Sequence, residues 1–407
     1  MVTVNNPRSH RFLLIVTILI YVTFGLVISV IGVIIDKFQI QYNVPLQVAA
    51  FLPFAFYLSY GLFSIPFGVQ MDRLGAKTVM VMGMVLMTMG CLLLYLSNNY
   101  ILVIAMIFLS GIGVTAIQTA GNPFIRELDN PERYTANLTT IIGINALGCA
   151  LSPMLVPVIQ AKGFPWSAIY LIFGVISLAL LIMLISAKVP KIKLLEEEKI
   201  NTAAIGALLK EPIIISYTIA IFFYVGAEVG TSSYILVFME KVHGFGSKIS
   251  LWDKGTFMYL AFPSASALIV GLFWLLQAIG RLIIGQLIKF IRPRTIFIIH
   301  SAGTCFAILV ATFSPPKIAL FAFVLTGYFT CASFTSIFSA AIQSFDKYHG
   351  AISGILCTAI VGGAIMGLLV GSVGDAFGMK AAMMINLTGF LYVFAIAVWG
   401  KGKLNID

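Results

Sequence analysis

Charge is scarce in this sequence, and negative charge scarcer still. Asp, Glu, Lys and Arg make up 10% of its 407 residues, with 15 acids against 25 bases. So few charged side chains cannot coat a water-soluble globule of this size, and much of the surface must therefore face lipid. Cysteine is sparse as well: Cys91, Cys149, Cys305, Cys331 and Cys357 all fall inside apolar runs without a CxxC pair, which indicates neither a disulfide frame nor a metal site. The four histidines, His10, His243, His300 and His349, fall at helix ends or in loops without metal-ligand spacing. No nucleophile with its base lies deep in the apolar runs, so an enzyme is not expected. No GxxxxGKS/T phosphate loop follows a strand pattern, which argues against ATP as a direct energy source. Neither a cofactor nor a metal is expected.

Hydrocarbon is what the chain has in abundance. It is 60% hydrophobic with a mean hydropathy of +1.03. A bilayer core of about 30 Å takes about 20 helical residues, and apolar stretches of that length recur from Phe12 to Trp399 between short polar breaks. Only helices or closed barrels satisfy their backbone in lipid, and continuous apolar runs without strand alternation select helices. Twelve spans are expected, at 12–35, 45–70, 78–96, 100–125, 136–161, 166–187, 212–239, 265–289, 295–312, 317–344, 349–374 and 380–400. The first run is long and lacks a small-residue cleavage site, so it should remain as a helix. A net charge of +10 does not signal nucleic acid here, because the bases sit in short loops rather than along one stripe. With both termini cytoplasmic, inner segments hold 17 Lys and Arg and outer loops hold 7, the bias of an even number of crossings that starts inside. A lipid-embedded monomer of the cell inner membrane is the expected state.

One turn is repeated. Gly68-Val-Gln-Met-Asp72-Arg73-Leu-Gly75-Ala-Lys77 follows the second span, and a degraded copy, Gly285-Gln-Leu-Ile-Lys289-Phe-Ile-Arg292-Pro-Arg294, follows the eighth. Gly68 pairs with Gly285, Lys77 with Arg294 and Thr78 with Thr295, which implies a duplicated half. The expected fold is all-α and integral to the membrane, with twelve transmembrane helices in two pseudo-symmetric six-helix bundles. Residues 1–187 form the first bundle, the charged stretch 188–211 is a cytosolic linker, and 212–407 form the second. The outer segment from Glu240 to Pro263, with Gly244-Phe-Gly246 and Trp252, is a solvated or interfacial loop. Parallel halves of this kind enclose a midplane site that rocking exposes to each side in turn. Asp72 and Arg73 can pair with a helix end across the halves as an inner gate. In the copy Lys289 replaces the acid, which makes that gate one-sided.

Glu228, in Tyr224-Val-Gly-Ala-Glu228, is the deepest charge and the only carboxylate well inside a span. Charge there costs roughly 3 kcal/mol or more, so such groups face a wet cavity, hold a partner or carry a proton. Arg281 lies about two turns from the inner end of the eighth span. At 1.5 Å per residue its depth differs from that of Glu228 by roughly 10 Å, so Arg281 is read as a snorkelling or inner-gate group rather than a direct partner. Gln118 and Asn122 share a face of the fourth span at a spacing of four, Asn145 adds an amide on the fifth, and Phe334 and Thr335 lie on the tenth. Amides and hydroxyls beside the rings of Phe24, Tyr57, Tyr224 and Phe334 suit an uncharged polyhydroxylated ligand, whose apolar faces rings cover and whose hydroxyls amides read. Export of amphipathic compounds is the alternative, favoured by the many Met and Phe residues. A channel would need a continuous polar lining that these spans do not offer.

These segments resemble the major facilitator superfamily. The turn from Gly68 to Lys77, Phe56-Tyr57-Leu-Ser-Tyr-Gly61 with Pro66, Gln118-Thr-Ala-Gly-Asn122-Pro123, Asn145-Ala-Leu-Gly148, Tyr224-Val-Gly-Ala-Glu228-Val and Gly280-Arg281 carry the likeness. More narrowly they resemble its fucose/galactose/glucose:proton symporter family. The resemblance implies the major facilitator fold and import of a hexose or deoxyhexose such as glucose, galactose or fucose with a coupling ion. In proton-coupled fucose members of that family an acid precedes the Thr-Ala-x-Asn-Pro segment, where this chain has Gln118. A second acid of such members matches Gly32, with Asp36 a turn further out. Glu228 is thereby the candidate for ion coupling, and proton symport, sodium symport and uniport all stay open.

Overall fold

The computed structural model describes residues 7–44, 46–49, 51–128, 131–187, 202–244 and 265–400. Twelve helices within these are long and apolar enough to cross a membrane, with mean hydropathies between 1.4 and 2.9. In order they are α1 (Pro7–Tyr42), α2 (Phe51–Leu74), α3 (Ala76–Tyr95), α4 (Tyr100–Leu128), α5 (Tyr134–Ala161), α6 (Ala168–Ser186), α7 (Pro212–His243), α8 (Ala265–Leu287) and α9 (Pro293–Phe313). Two more are interrupted: α10 runs through Pro316–Thr330 and Ser333–Gln343, and α11 through His349–Thr358, a 3-10 turn at Ala359–Val361, and Gly362–Phe377. The last, α12, is Met379–Trp399. The chain is an all-helical, multi-pass membrane protein of two six-helix bundles. A four-residue helical turn, Leu46–Ala49, precedes α2, and Thr202–Leu208 is a short helix in the charged stretch between the halves. The remainder of that stretch up to residue 201, and residues 245–264 of the outer segment, lie outside the described residues.

The repeated turn shows what its basic residue does. Gly75 sits at φ 86°, a backbone region that L side chains rarely adopt, and so lets α2 fold straight back into α3. Two residues on, Lys77 donates from Nζ to the carbonyls of Ile185 (3.0 Å) and Ala187 at the end of α6. In the second half Arg294 donates to the carbonyls of Ala397 (3.4 Å) and Val398 (2.9 Å) at the end of α12. The last carbonyls of a helix have no partner within it and carry partial negative charge, so a cation placed there is stabilising. Lys77 and Arg294 therefore tie the final helix of each half to the turn at its centre, in matching positions of the repeat.

The acid of the turn crosses between the halves. Asp72 accepts from the backbone N–H groups of Gly350 (Oδ1, 2.9 Å) and Ala351 (Oδ2, 2.7 Å) in the first turn of α11, where the helix dipole favours an anion. Glycines make this approach possible: a Cβ on Gly68 would lie 2.3 Å from the Gly350 carbonyl oxygen, and one on Gly354 2.6 Å from that of Ser64. Around them Arg126 contacts the His349 ring (3.0 Å), Gln343 donates to Thr135 Oγ1 (3.0 Å), and Ser353 donates to the Thr119 carbonyl (2.6 Å). Along α5 and α8 the halves meet through Gly143 against Arg281 Cβ and Gly285 against Thr140. Lys289, at the repeat position of Asp72 and in the turn after α8, bonds Gln286 three residues back at 2.6 Å and is exposed. The two halves are thus closed against each other on the face that carries the repeated turns.

Replacing Asp72 with Ala removes two charge-assisted bonds at a helix terminus, worth about 1–2 kcal/mol. The closed-to-open ratio of this face should fall about tenfold. Spin-label distances between Leu74→Cys and Lys347→Cys will lengthen in the variant, and an unchanged distribution rejects Asp72 as the clasp.

Candidate functional site

The deepest polar cluster is built from two facing helix stripes. Tyr224 and Glu228 stand four apart on α7, as Gln277 and Arg281 do on α8, so each pair occupies one face of its helix. Where those faces meet, Glu228 Oε1 accepts from the Tyr224 hydroxyl and from Gln277 Nε2, with Arg281 Nη2 at 3.6 Å. All four side chains are buried, Gln277 fully and Glu228 to 7% exposure. A carboxylate removed from water needs this company, since an isolated one would carry an uncompensated desolvation cost of several kcal/mol.

The same donors also serve a break in α10. That helix is interrupted at Cys331 and Ala332, which leaves carbonyls without their usual helical partners. The single Tyr224 O–H, shared with Glu228, also faces the Thr330 carbonyl (3.0 Å), Gln277 Nε2 donates to Thr330 Oγ1 (3.3 Å), and Arg281 Nε to the Cys331 carbonyl (3.3 Å). Phe334, just past the break, sets its ring 6.4 Å from that of Tyr224.

The first half supplies amides held by tyrosines. Tyr60 donates to Gln118 Oε1 (2.7 Å) and Tyr21 to Asn122 Oδ1 (2.7 Å), which leaves the amino ends of both amides as free donors. Asn122 Nδ2 is buried and has no partner, and Gln118 is half-buried. Asn145 Nδ2 donates to the backbone carbonyl of Tyr21 (2.8 Å), pinning α5 to α1, while Phe24 packs edge-on to Tyr21 at 4.8 Å. Tyr57 is half-buried one turn before Tyr60 on α2, its ring 6.4 Å from that of Tyr60.

The family description "Major Facilitator Superfamily" matches residues 13–273, well over half of the chain. This chain belongs to the major facilitator superfamily. It is 24% identical to a glucose/galactose transporter of Brucella abortus over 96% of this chain and 94% of that one. It is 21% identical to the L-fucose-proton symporter of Haemophilus influenzae, covering 94% of each. In fold it is similar to the crystal structure of the Escherichia coli fucose:proton symporter, FucP, with a TM-score of 0.79 at 20% identity over 96% of this chain and 99% of that one. The resemblance read from the sequence agrees with these relatives. Members of the superfamily are membrane transporters, and this chain is one rather than an enzyme.

Within that superfamily fold the residues singled out in the sequence fall into three groups. Glu228, Tyr224 and Phe334 come together at the α10 break, joined by Arg281. Gln118, Asn122, Asn145 and Phe24 form the opposite set, with Tyr57 beside Tyr60 on α2. Asp72 and the exposed Arg73 stand apart on the closed face. Thr335 is buried and turns its hydroxyl back to the Ala332 carbonyl (3.2 Å) of its own helix. Two expectations need correction. Arg281 does not snorkel to the rim but is 5% exposed and lies against Glu228, because its long side chain spans the axial offset that straight-helix counting treated as a barrier. His300 is not at a helix end; it is buried two turns into α9, 3.6 Å from Cys331 Sγ. Gln277 and Thr330 were missed, although Gln277 and Arg281, four apart in an otherwise apolar run, form the one polar stripe of α8 that could have signalled them.

Removing one partner of a buried ion pair strands the other, a loss of about 3–5 kcal/mol. Arg281→Met should therefore lower the unfolding midpoint in detergent sharply, and adding Glu228→Gln should restore most of it. Additive destabilisation in the double variant would show that the two side chains are not energetically paired.

Proposed function

We propose that this transporter carries a neutral hexose or deoxyhexose into the cell together with a cation, by rocking its halves about the seam between α1, α2, α4 and α5 on one side and α7, α8 and α10 on the other. Glu228 carries the reading. Its Oε1 accepts from Tyr224 and Gln277 and lies 3.6 Å from Arg281 Nη2, while Oε2 takes no hydrogen bond from the described residues. The carboxyl is where a proton can land. Ionised, Glu228 balances the Arg281 charge and holds its donors. Protonated, it presents a weaker acceptor and slackens their grip.

Sugar chemistry fits the opposite wall. The free amino ends of Gln118 and Asn122 are donors for hydroxyl oxygens, and the Tyr57 and Phe334 rings offer apolar faces to a pyranose. With the termini in the cytoplasm, as the basic loops argue, the closed face is cytoplasmic, and rocking it apart would expose the site to the cell interior. The glucose/galactose and fucose-proton relatives support the substrate class. Gln118 stands where proton-coupled fucose members of the resembled family carry an acid, which leaves Glu228 as the coupling group.

The test is uptake of labelled glucose, galactose and fucose into proteoliposomes under imposed proton or sodium gradients. Accumulation above equilibrium is expected with one gradient. Glu228→Gln should abolish accumulation while labelled-for-unlabelled exchange survives, since exchange needs no net ion movement. Uptake that only equilibrates, with or without a gradient, would make the protein a uniporter. If none of the three sugars moves, the substrate class is wrong.

A further inference from the structure

Each of the three side chains that hold Glu228 also holds the break in α10. Tyr224 reaches the Thr330 carbonyl, Gln277 reaches Thr330 Oγ1, and Arg281 reaches the Cys331 carbonyl. Thr330 in turn donates its hydroxyl to the Gly327 carbonyl (2.9 Å), so the last turn of the first α10 segment is held from both sides. A helix interrupted inside lipid is tolerated only where neighbours satisfy the freed backbone groups. Here that duty falls to the very groups whose second acceptor is an ionisable carboxylate.

Gln277 differs from the other two in having an idle end. It is fully buried, and its Oε1 has no hydrogen-bond partner. Tyr224 and Arg281 approach as donors whichever way Glu228 is charged. An amide can do either: a carboxylate calls for its N–H, and a protonated carboxyl, which presents an O–H, calls for its carbonyl. We infer that Gln277 is the positioning residue that passes the charge state of Glu228 to the α10 break. When Glu228 takes a proton, the amide turns over, its Oε1 accepts from the carboxyl O–H, and its N–H leaves Thr330 Oγ1. The segment Thr330–Phe334 is then free to change its bend, and Phe334, which faces Tyr224, moves with it. The inference rests on Glu228 as the ion-coupling group, but not on the identity of the substrate.

Hydrogen exchange on the intact protein in nanodiscs reads this without any substrate. Glu228→Gln, which imitates the neutral carboxyl in shape and charge, should speed exchange of the amides from 331 to 336 about tenfold, the difference between a charge-assisted and an ordinary hydrogen bond. Gln277→Leu should speed it as well, and in that background Glu228→Gln should add clearly less than it does alone. If Glu228→Gln has the same multiplicative effect in the Gln277→Leu background as in the unmodified protein, Gln277 is packing alone and the inference is overturned. It is equally overturned if Glu228→Gln leaves exchange at the break unchanged. In uptake, Gln277→Leu should flatten the pH profile, and Gln277→Asn should recover part of the slope. A flat profile in the unmodified protein would remove proton coupling through Glu228 and leave the exchange result to decide the link to α10 by itself.

Discussion

A carboxylate cannot be left alone in the middle of a membrane, and the interior of this protein is arranged around that constraint. Glu228 imposes its demands on two neighbouring helices. Tyr224 must stand one turn before it, and α8 must bring both an amide and a guanidinium to the same depth. Because a buried ion pair contributes little net stability over an apolar pair of the same shape, the cluster adds little as glue. On the proposed reading, what it offers instead is sensitivity to one proton.

The frame around it is stiff by comparison. Each half is knitted internally by its turn, with Lys77 and Arg294 fastened to the last helix of their own bundles. Backbone-to-backbone contact at Gly68, Gly350 and Gly354 lets the two bundles meet without side chains between them. The two interrupted helices, α10 and α11, both lie in the second half. The first half contributes neutral amides fixed by tyrosines, a surface that can bind without changing charge.

Most of the fold was legible in the sequence, because a span of apolar residues in lipid has only one way to satisfy its backbone, and the repeated turn fixed the pairing of halves. Glu228 and Tyr224 were legible for a related reason: a charge in such a span must have a purpose. Gln277 was not, since a neutral amide in an apolar helix is tolerated and draws no notice until its partner is known. The α10 break was equally silent, as Cys331 and Ala332 are neither proline nor glycine. Arg281 was named but set at the wrong depth, because residue counting along an axis ignores the reach of a guanidinium. Asn145 was read as a binding amide, and its Nδ2 holds a backbone carbonyl of α1.

The closed face is fastened differently along its two edges. Between α2 and α11 the fastening is an ionised acid on a helix terminus, with the Arg126 and His349 contact beside it. Between α5 and α8 it is small residues in van der Waals contact. Dissolved salt weakens the first kind of attachment and hardly touches the second. Rising ionic strength should therefore unzip this face from one edge, so that the bundles part like the covers of a book bound along α5 and α8.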